Sequence, residues 1–383
     1  MNRLGLLVCS LALAGNPLAQ SPEPLAVAIG TAAVVVRSHA VHCYALHRNC
    51  AAAAVRLQKA VHQLLQDPSK AALAAARIAW TAGRRDYCQL EVLRFSGGPI
   101  DALEPHLNAW PIDEAYIDQV AGKPTSGIIH DPATYQTLNG PLLLHANERG
   151  GETNISVGWH AIEFLLWGQD LDVHGPGRRP HTDFVEDATD GVDRRRAYLR
   201  IVCNLLVEHL TQLRDAWAPD ADNYRRKFEA DASGALRKML TGALILTSFE
   251  LCGERLAVAY ETQDQEQEHS CFSDTTTQDF IYDQLGLVAV FEGGSGVPKT
   301  ATLLAMVRHH DAAVADNLKQ CLDATLAALR EIPAPFDQAI LGSDDNPGRL
   351  AILKAIEALE QQAEAIAIAG HLLGYDLPLR PGN

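Results

Sequence analysis

Apolar residues recur along this chain with the spacing of helices. Long stretches of Ala, Leu, Glu, Gln and Arg place apolar positions three and four residues apart, and no strong alternation of the kind that strands show interrupts them. We therefore predict an all-α fold. The predicted long helices cover about residues 26–66, 69–95, 183–217, 222–261, 299–331 and 349–373.

One segment, residues 158–168, is apolar on every side except for one imidazole and one carboxylate. Positions three apart share a helix face, so His160 and Glu163 should point in the same direction. A helix that is apolar all round belongs in a core, where a charge is tolerated only when it is paired, hydrogen-bonded or bound to a metal. Either Glu163 meets an arginine of a neighbouring helix while His160 donates to a backbone carbonyl, or the pair has a function.

The chain also contains an internal repeat. Residues 162–171 read IEFLLWGQDL and residues 368–377 read IAGHLLGYDL, with five identities at one constant offset. Such self-similarity indicates duplication. We predict two related helical domains, each resembling a four-helix bundle, over residues 20–178 and 179–383.

The two copies differ at the polar positions. His160 and Glu163 correspond to Ile366 and Ala369 in the second copy. If the pair merely fastened the fold, the second copy should need something similar. The asymmetry therefore favours a functional pair.

Several blocks of the sequence, in the same order along the chain, resemble the imelysin-like family, and specifically its iron-regulated protein A branch. They are the Gly-x-His-x-x-Glu motif of residues 158–163, the Trp80, Tyr87 and Glu91 block, and residues 94–101, 108–118, 248–255 and 268–274. The resemblance implies a helical cell-envelope protein linked to iron acquisition, whose His and Glu were proposed as metal ligands. The founding member was described as a metallopeptidase. This chain departs from the branch in reading Thr at 275–277, so the histidine usual there is missing.

A single helix offering one His and one Glu supplies only part of a coordination sphere. Imidazole and carboxylate ligands together suit iron, zinc or manganese. We predict a metal ion, iron first and zinc second, free or as a chelate, bound between the two domains. The predicted ligands are His160, Glu163, Glu91 and His269, surrounded by Arg94, Glu250, Glu254, Arg255 and Asp274.

Other interpretations of these surrounding residues remain open. Glu91, Glu254 and Arg255 could form an ion-pair network between helices, and Asp274 could cap the helix that follows it. A metallopeptidase using the same residues is a rival function, but an H-x-x-E-H motif would need histidine where Phe164 stands, and H-E-x-x-H is absent. A metal-free scaffold acting through protein partners is a third possibility.

The net charge and the N-terminal residues limit the class of partner and the cellular compartment. A net charge of -15 argues against nucleic acid, because phosphate binding needs clustered Lys and Arg. Residues 1–19 have the short basic start and apolar stretch of a cleaved signal peptide, while Val8 makes lipidation at Cys9 unfavourable. No other apolar run reaches the ~20 residues that span a bilayer. We predict a periplasmic or secreted protein, with envelope iron-transport proteins as partners.

Cysteine and histidine also cluster in the first helix. His39, Cys43, His47 and Cys50 follow at steps of four, four and three, which is one helix face. A site for a soft metal is conceivable, but helical cysteines usually serve as small apolar core residues, so we favour the core. Later in the chain, Cys252 and Cys271 are a plausible disulfide.

Overall fold

A computed structural model describes residues 25–172, 174–186, 191–378 and 380. The predicted signal peptide lies outside these residues. The α-helices are α1 (Leu25–Gln66), α2 (Lys70–Cys88), α3 (Pro99–Leu107), α4 (Glu114–Ile117), α5 (Gly127–His130), α6 (Gly140–Ala146), α7 (Gly158–Trp167), α8 (Val192–Ala216), α9 (Tyr224–Ala230), α10 (Ala232–Ile245), α11 (Val258–Thr262), α12 (Thr276–Glu292), α13 (Leu303–His310), α14 (Ala312–Glu331), α15 (Phe336–Ile340) and α16 (Pro347–Leu372).

The all-α prediction is confirmed. Over the described ranges the β-structure amounts to an isolated bridge between Val120 and Lys123. Short 3-10 turns occur at Glu91–Leu93, His181–Phe184, Gln265–Gln267 and Lys299–Ala301, and a π-helix runs from Leu246 to Ala257.

Four predicted long helices are shorter or broken. The one predicted over 183–217 begins only at Val192, as α8. The helix predicted over 222–261 is divided into α9, α10, the π-helix and α11, and the one predicted over 299–331 is divided into α13 and α14. Asp231 and Asp311 stand at these breaks, and each carboxylate accepts a backbone N–H of the helix that follows. An aspartate at such a position starts a new helix rather than continuing the old one. The helix predicted over 69–95 ends at Cys88.

Two hydrophobic cores share the long helix α1. Its first half, from Ala32 to Cys43, packs with α10, the π-helix, α12, α14 and α16, whereas its second half, from Cys50 to Leu65, packs with α2, α7 and α8. The boundary we predicted at residue 178 remains a prediction about domains, as does the duplication. The packing itself places α8, which lies beyond that boundary, with the core that contains α7.

The polar face of α1 is buried. His39, Cys43, His47 and Cys50 are each less than a tenth exposed, and His39 Nε2 lies 3.2 Å from Cys43 Sγ. His47 Nδ1 lies 2.7 Å from the carbonyl oxygen of Cys43. These contacts agree with the core interpretation of this face.

The predicted disulfide between Cys252 and Cys271 is wrong. Both are free thiols, as are the other cysteines within the described part of the chain. The reason is packing: Cys252 belongs to the core around α16 and Cys271 to the core around α7. No helix of the described residues is long and apolar enough to cross a bilayer.

Candidate metal site

The motif helix α7 is buried along its whole length, from Gly158 to Trp167. It begins directly against the end of α3, and this close approach requires its first residue. Gly158 has a φ of 91°, and a Cβ there would lie 2.7 Å from the carbonyl oxygen of Leu107. The glycine of the Gly-x-His-x-x-Glu motif therefore fixes where the helix starts, and with it the positions of His160 and Glu163.

Replacing Gly158 with alanine should destabilise the protein by about 2–4 kcal/mol, because a positive φ costs an alanine ~1–2 kcal/mol and overpacking costs ~1–3 kcal/mol. Urea unfolding measures the change. Gly253→Ala is the matched control, since a Cβ there meets its nearest atom at 3.8 Å and the φ is ordinary. The control should stay within about 1 kcal/mol of the wild type. Equal losses in both variants would contradict this account of the motif glycine.

His160 and Glu163 contact each other. Nδ1 of His160 lies 2.9 Å from Oε2 of Glu163. The other oxygen of Glu163 accepts hydrogen bonds from the backbone N–H of Ser273 at 3.0 Å and from its hydroxyl at 2.6 Å. Burial raises the pKa of Glu163 to about 8, although the Ser273 hydrogen bonds lower it. The hydrogen-bond partners of Glu163 are thus His160 and Ser273 rather than an arginine of a neighbouring helix.

The second nitrogen of His160 is one of the unsatisfied polar atoms of the site, together with Nε of Arg84 and Oδ1 of Asp283. Nε2 is buried and has no hydrogen-bond partner among the described residues. Whichever tautomer the ring adopts, an unsatisfied buried nitrogen costs about 1–3 kcal/mol. Burial also lowers the pKa of His160 well below its usual range, so the ring is neutral, as a metal ligand must be.

The structure brings His269 to the same place. Its ring centroid lies 4.8 Å from that of His160, and its Nδ1 lies 2.9 Å from Oδ2 of Asp279. Burial and the charge of Arg255 lower the pKa of His269 to about 4, against the opposing effect of Asp279. Each imidazole therefore has Nδ1 against a carboxyl group, Glu163 in one case and Asp279 in the other.

Glu91 lies in a dense ion-pair network. One of its oxygens pairs with Arg94, at 2.9 Å, and with Arg255, while the other accepts a hydrogen bond from Nδ2 of Asn108 at 3.3 Å. Asn108 Nδ2 also lies 3.4 Å from Nε2 of His269, so this amide links Glu91 to the histidine. Burial would raise the pKa of Glu91, but the charges of Arg255 and Arg94 outweigh it and hold the value at about 2.

The π-helix determines the partner of Glu250. Glu250 and Arg255 are five residues apart, a spacing that a π-helix, with its i to i+5 hydrogen bonds, brings closer to one face than an α-helix does. Arg255 Nη2 donates to Glu250 at 2.8 Å, and Arg94 Nη1 donates to the same oxygen at 3.2 Å. Glu250, Arg94 and Arg255 therefore belong to the network of Glu91.

Two of the predicted surrounding residues stand apart. Glu254 is exposed, unlike the buried network around Glu91. Asp274 is half-buried, and α12 begins after Thr275, so Asp274 is not the cap that the alternative interpretation proposed. Burial and the neighbouring Asp170 raise the pKa of Asp274 to about 7.

Sequence reasoning missed Ser273, Asn108, Arg84, Asp279 and Asp283. Arg84 Nη2 donates to Asp279 at 2.7 Å, and Arg255 Nη1 donates to Asp283 at 2.8 Å. Asp279 and Asp283 lie four apart on the largely apolar helix α12, the same kind of signal that singled out His160 and Glu163. Asn108 and Ser273 lie outside regular helices, where no periodicity marks them.

The structure offers one compact set of possible metal-binding atoms. Among the described residues, Cys88, Glu91 and Asp283 form the group of three whose potential ligand atoms all lie within 4.8 Å of one another. The guanidinium of Arg255 already bonds both carboxylates of this group. Its positive charge occupies the position that a cation would take, so the group is better described as part of the ion-pair network.

A cavity of about 400 Å³ leads from the surface to His269 and Arg255. His269, Asn108 and Arg255 contribute to its lining, together with Trp110 and an acidic set comprising Glu104, Glu148, Glu152, Glu250 and Glu254. The cavity is therefore negatively charged on balance and touches one of the two histidines. A small ligand could reach His269 by this route.

Comparison with known proteins agrees with the helical architecture and with the family resemblance. The sequence profile of the imelysin family, peptidase M75, matches residues 43–366. Iron-regulated protein A of Synechococcus elongatus is 23% identical over 328 residues, which cover 82% of this chain and 79% of that protein.

Two solved structures share the fold. A protein described as an iron-regulated protein A precursor from Parabacteroides distasonis has a TM-score of 0.70 at 17% identity, covering 90% of this chain and 95% of that one. An imelysin-like protein from Psychrobacter arcticum has a TM-score of 0.65 at 16% identity, covering 92% and 98%. Because the family profile spans most of the sequence, the chain belongs to the imelysin family.

Proposed function

We propose that this protein binds a metal ion, iron first, in the cell envelope and serves iron acquisition. The observation that carries the proposal is the buried Nε2 of His160, which has no hydrogen-bond partner among the described residues and lies beside a second histidine. The name of the Synechococcus relative supports the link with iron. The predicted signal peptide favours the periplasm or the outside of the cell, and we propose envelope iron-transport proteins as partners.

The chemistry of the two histidines supports this proposal. Metal-binding histidines commonly present one ring nitrogen to a carboxylate, which fixes the ring and increases the basicity of the other nitrogen. His160 with Glu163, and His269 with Asp279, have this arrangement. Imidazole ligands suit iron and zinc better than calcium or magnesium. In this proposal His160 and His269 bind the metal, and Glu163 holds His160.

Carboxylates near the histidines would supply negative charge. Glu91 reaches His269 through the amide of Asn108, so it is a further candidate ligand. To bind the metal it would have to release part of its contact with Arg255 or Asn108. The acidic lining of the cavity would attract a cation toward His269.

The test is metal content by mass spectrometry after loading purified mature protein with Fe²⁺ or Zn²⁺. We expect stoichiometric metal in the wild type and at least a tenfold weaker affinity in His160→Gln and His269→Gln, since each removes one ligand. His145→Gln is the matched control. His145 and Glu148 repeat the H-x-x-E spacing but are exposed, so this variant should keep the metal. A wild type that stays metal-free under both aerobic and reducing conditions would refute the proposal.

A metallopeptidase is the second candidate, and the cavity favours it. A peptide could enter the 400 Å³ space and approach His269. The assay is hydrolysis of a fluorescent casein by metal-loaded protein, with and without a chelator. Hydrolysis that the chelator stops and His269→Gln abolishes would support the enzyme, whereas bound metal without hydrolysis would support the binding protein.

A further inference from the structure

The long helix α1 differs in charge from the rest of the chain. It contains three arginines and one lysine but no aspartate or glutamate. The neighbouring helix α2 adds four Lys and Arg and a single acidic residue, Asp86. Eight cationic side chains against one acidic side chain give the two helices a charge of +7, although the charge of the whole chain is -15. Positive charge is therefore concentrated in this part of an acidic protein.

The cations of α1 lie on one exposed side of the helix. Arg37, Arg48, Arg56 and Lys59 are all exposed, and we call these four residues the cationic row. They follow one another at steps of eleven, eight and three residues. At about 3.6 residues per turn, these steps keep them within about 100° around the helix axis. At a rise of about 1.5 Å per residue, the row is about 33 Å long.

Most charges of the cationic row are not neutralised. Within the described ranges the row makes one ion pair, in which Nη2 of Arg56 lies 3.8 Å from Oδ2 of Asp86. Nε of Arg85, in α2, lies 3.9 Å from the other oxygen of the same carboxylate. One aspartate thus faces two arginines, whose side chains are 59% and 57% exposed. The net charge of this surface therefore stays positive.

Exposed aliphatic side chains lie beside these cations. Val34 and Val41 are 42% and 54% exposed. They are seven residues apart, and Arg48 follows seven residues later, so all three share one side of α1. In α2, Ile78 is 71% exposed and lies seven residues before Arg85. Aliphatic side chains next to cations are typical of helices that bind at lipid headgroups.

The helix that packs beside the first half of α1 is also cationic. The ring centroids of His39 in α1 and Phe228 in α9 are 6.0 Å apart. Residues 224–230 of α9 contain three Lys and Arg and one Glu. Acidic residues farther away have little effect on this surface, because exposed charges more than ~8 Å apart are largely screened at physiological ionic strength.

We propose that the cationic row, with Val34, Val41 and Ile78 beside it, binds the anionic surface of a phospholipid membrane. A plane can meet all four cations at once because the row runs along one side of a single helix, whereas a rounded acidic protein would reach only part of it. Each Lys or Arg close to an anionic bilayer contributes about a fivefold gain in affinity. The protein would lie on the membrane, with the aliphatic side chains entering the headgroup region.

Flotation of the purified mature protein with lipid vesicles tests the proposal. The vesicles are POPC with POPG in roughly a two-to-one ratio, compared with POPC alone. We expect the wild type to partition at least about tenfold more strongly into the anionic vesicles at about 0.1 M NaCl. This preference should disappear at about 1 M NaCl, where the Debye length falls from about 10 Å to about 3 Å. The protein is treated with EDTA, so the result does not depend on the proposed metal site.

Arg48→Gln combined with Lys59→Gln removes two charges of the cationic row. Both side chains are exposed, so the variant should fold, which thermal unfolding checks. Its partition into the anionic vesicles should weaken about 25-fold, at about fivefold for each cation. The matched control is Arg330→Gln combined with Lys354→Gln, which changes the net charge equally at exposed positions of α14 and α16. The control should bind like the wild type.

Binding that is selective for POPG, sensitive to salt and weakened only by the α1 variant would support the proposal. A wild type that floats with neither kind of vesicle would overturn it. So would equal losses in the α1 variant and the control, because the net charge rather than this surface would then determine binding. Salt-sensitive self-association that the α1 variant abolishes, without vesicle binding, would assign the surface to a second copy of the chain instead.

Discussion

Replacing Asp118 with asparagine is expected to destabilise the protein by on the order of 3–5 kcal/mol, the usual cost of removing one partner from a buried ion pair. Asp118 is fully buried. Its two oxygens accept hydrogen bonds from Arg195, at 2.6 and 3.0 Å, and one of them also accepts from Arg179 at 2.9 Å. His130 Nε2 lies 3.1 Å from the carboxylate. An amide would leave Arg195 buried without a counter-charge.

Asp183→Asn is the matched control for this measurement by urea unfolding. Asp183 pairs with the same Arg179, at 3.3 Å, but its side chain is 18% exposed and Arg179 keeps Asp118. The control should lose less than about 1 kcal/mol, the usual limit for a pair near the surface. If both substitutions had the same small effect, the Asp118 cluster would contribute little to stability.

The same carboxylate predicts a pH dependence. Burial would raise the pKa of Asp118, but hydrogen bonding to His130 and the charges of Arg179 and Arg195 outweigh it and hold the pKa far below the usual range. A depressed folded-state pKa stabilises the protein above the unfolded value of about 3.9, and this contribution is lost as the pH falls toward the folded value. The free energy of unfolding of Asp118→Asn should therefore fall less steeply than that of the wild type between about pH 5 and about pH 2.

Arg255→Met should cost a similar amount, on the order of 3–5 kcal/mol. Arg255 is 1% exposed and bonds Glu91, Glu250 and Asp283 at once. Methionine fills a similar volume but leaves three carboxyl groups to share the remaining arginines. Urea unfolding at pH 7 gives the loss directly.

Asp283→Asn should cost less than about 1 kcal/mol in the same assay, because an amide is close in shape to a protonated carboxyl group and keeps a hydrogen-bonding role. Burial and the charge of Glu91 raise the pKa of Asp283 well above its usual range, which favours the protonated form of this carboxyl group. A loss for Asp283→Asn as large as that for Arg255→Met would show that Asp283 is charged.

Two features could be predicted from the periodicity and the local motifs of the sequence. The helical fold followed from the spacing of apolar residues, and the contact between His160 and Glu163 followed from their separation of three on one helix. The breaks at Asp231 and Asp311 were missed because apolar spacing continues across them, while the capping carboxylates that end one helix and start the next depend on local geometry. The π-helix was not predicted either, because the apolar residues of its sequence have α-helical spacing.

The site could be predicted only in part, because its other members come from distant segments. His269 was predicted from the family resemblance, and the structure places its ring against His160. Glu91 was predicted as a ligand, yet three cationic or amide side chains surround it, and no sequence pattern reveals which arginine will lie within 3 Å. Whether these residues hold a metal stays a prediction for the loading experiment.

His160 lies in α7, and His269 lies in the segment before α12, whose Cys271 and Phe272 pack in the same core as α7. In the proposed function, a ligand held by both imidazoles would tie this segment to α7, and its binding energy would stabilise that contact. By thermodynamic linkage, a change that loosens the segment of His269 must weaken the affinity for the ligand by the factor with which the ligand stabilises that segment. In the proposed function, a displacement of this segment would therefore release the metal by withdrawing His269 from it.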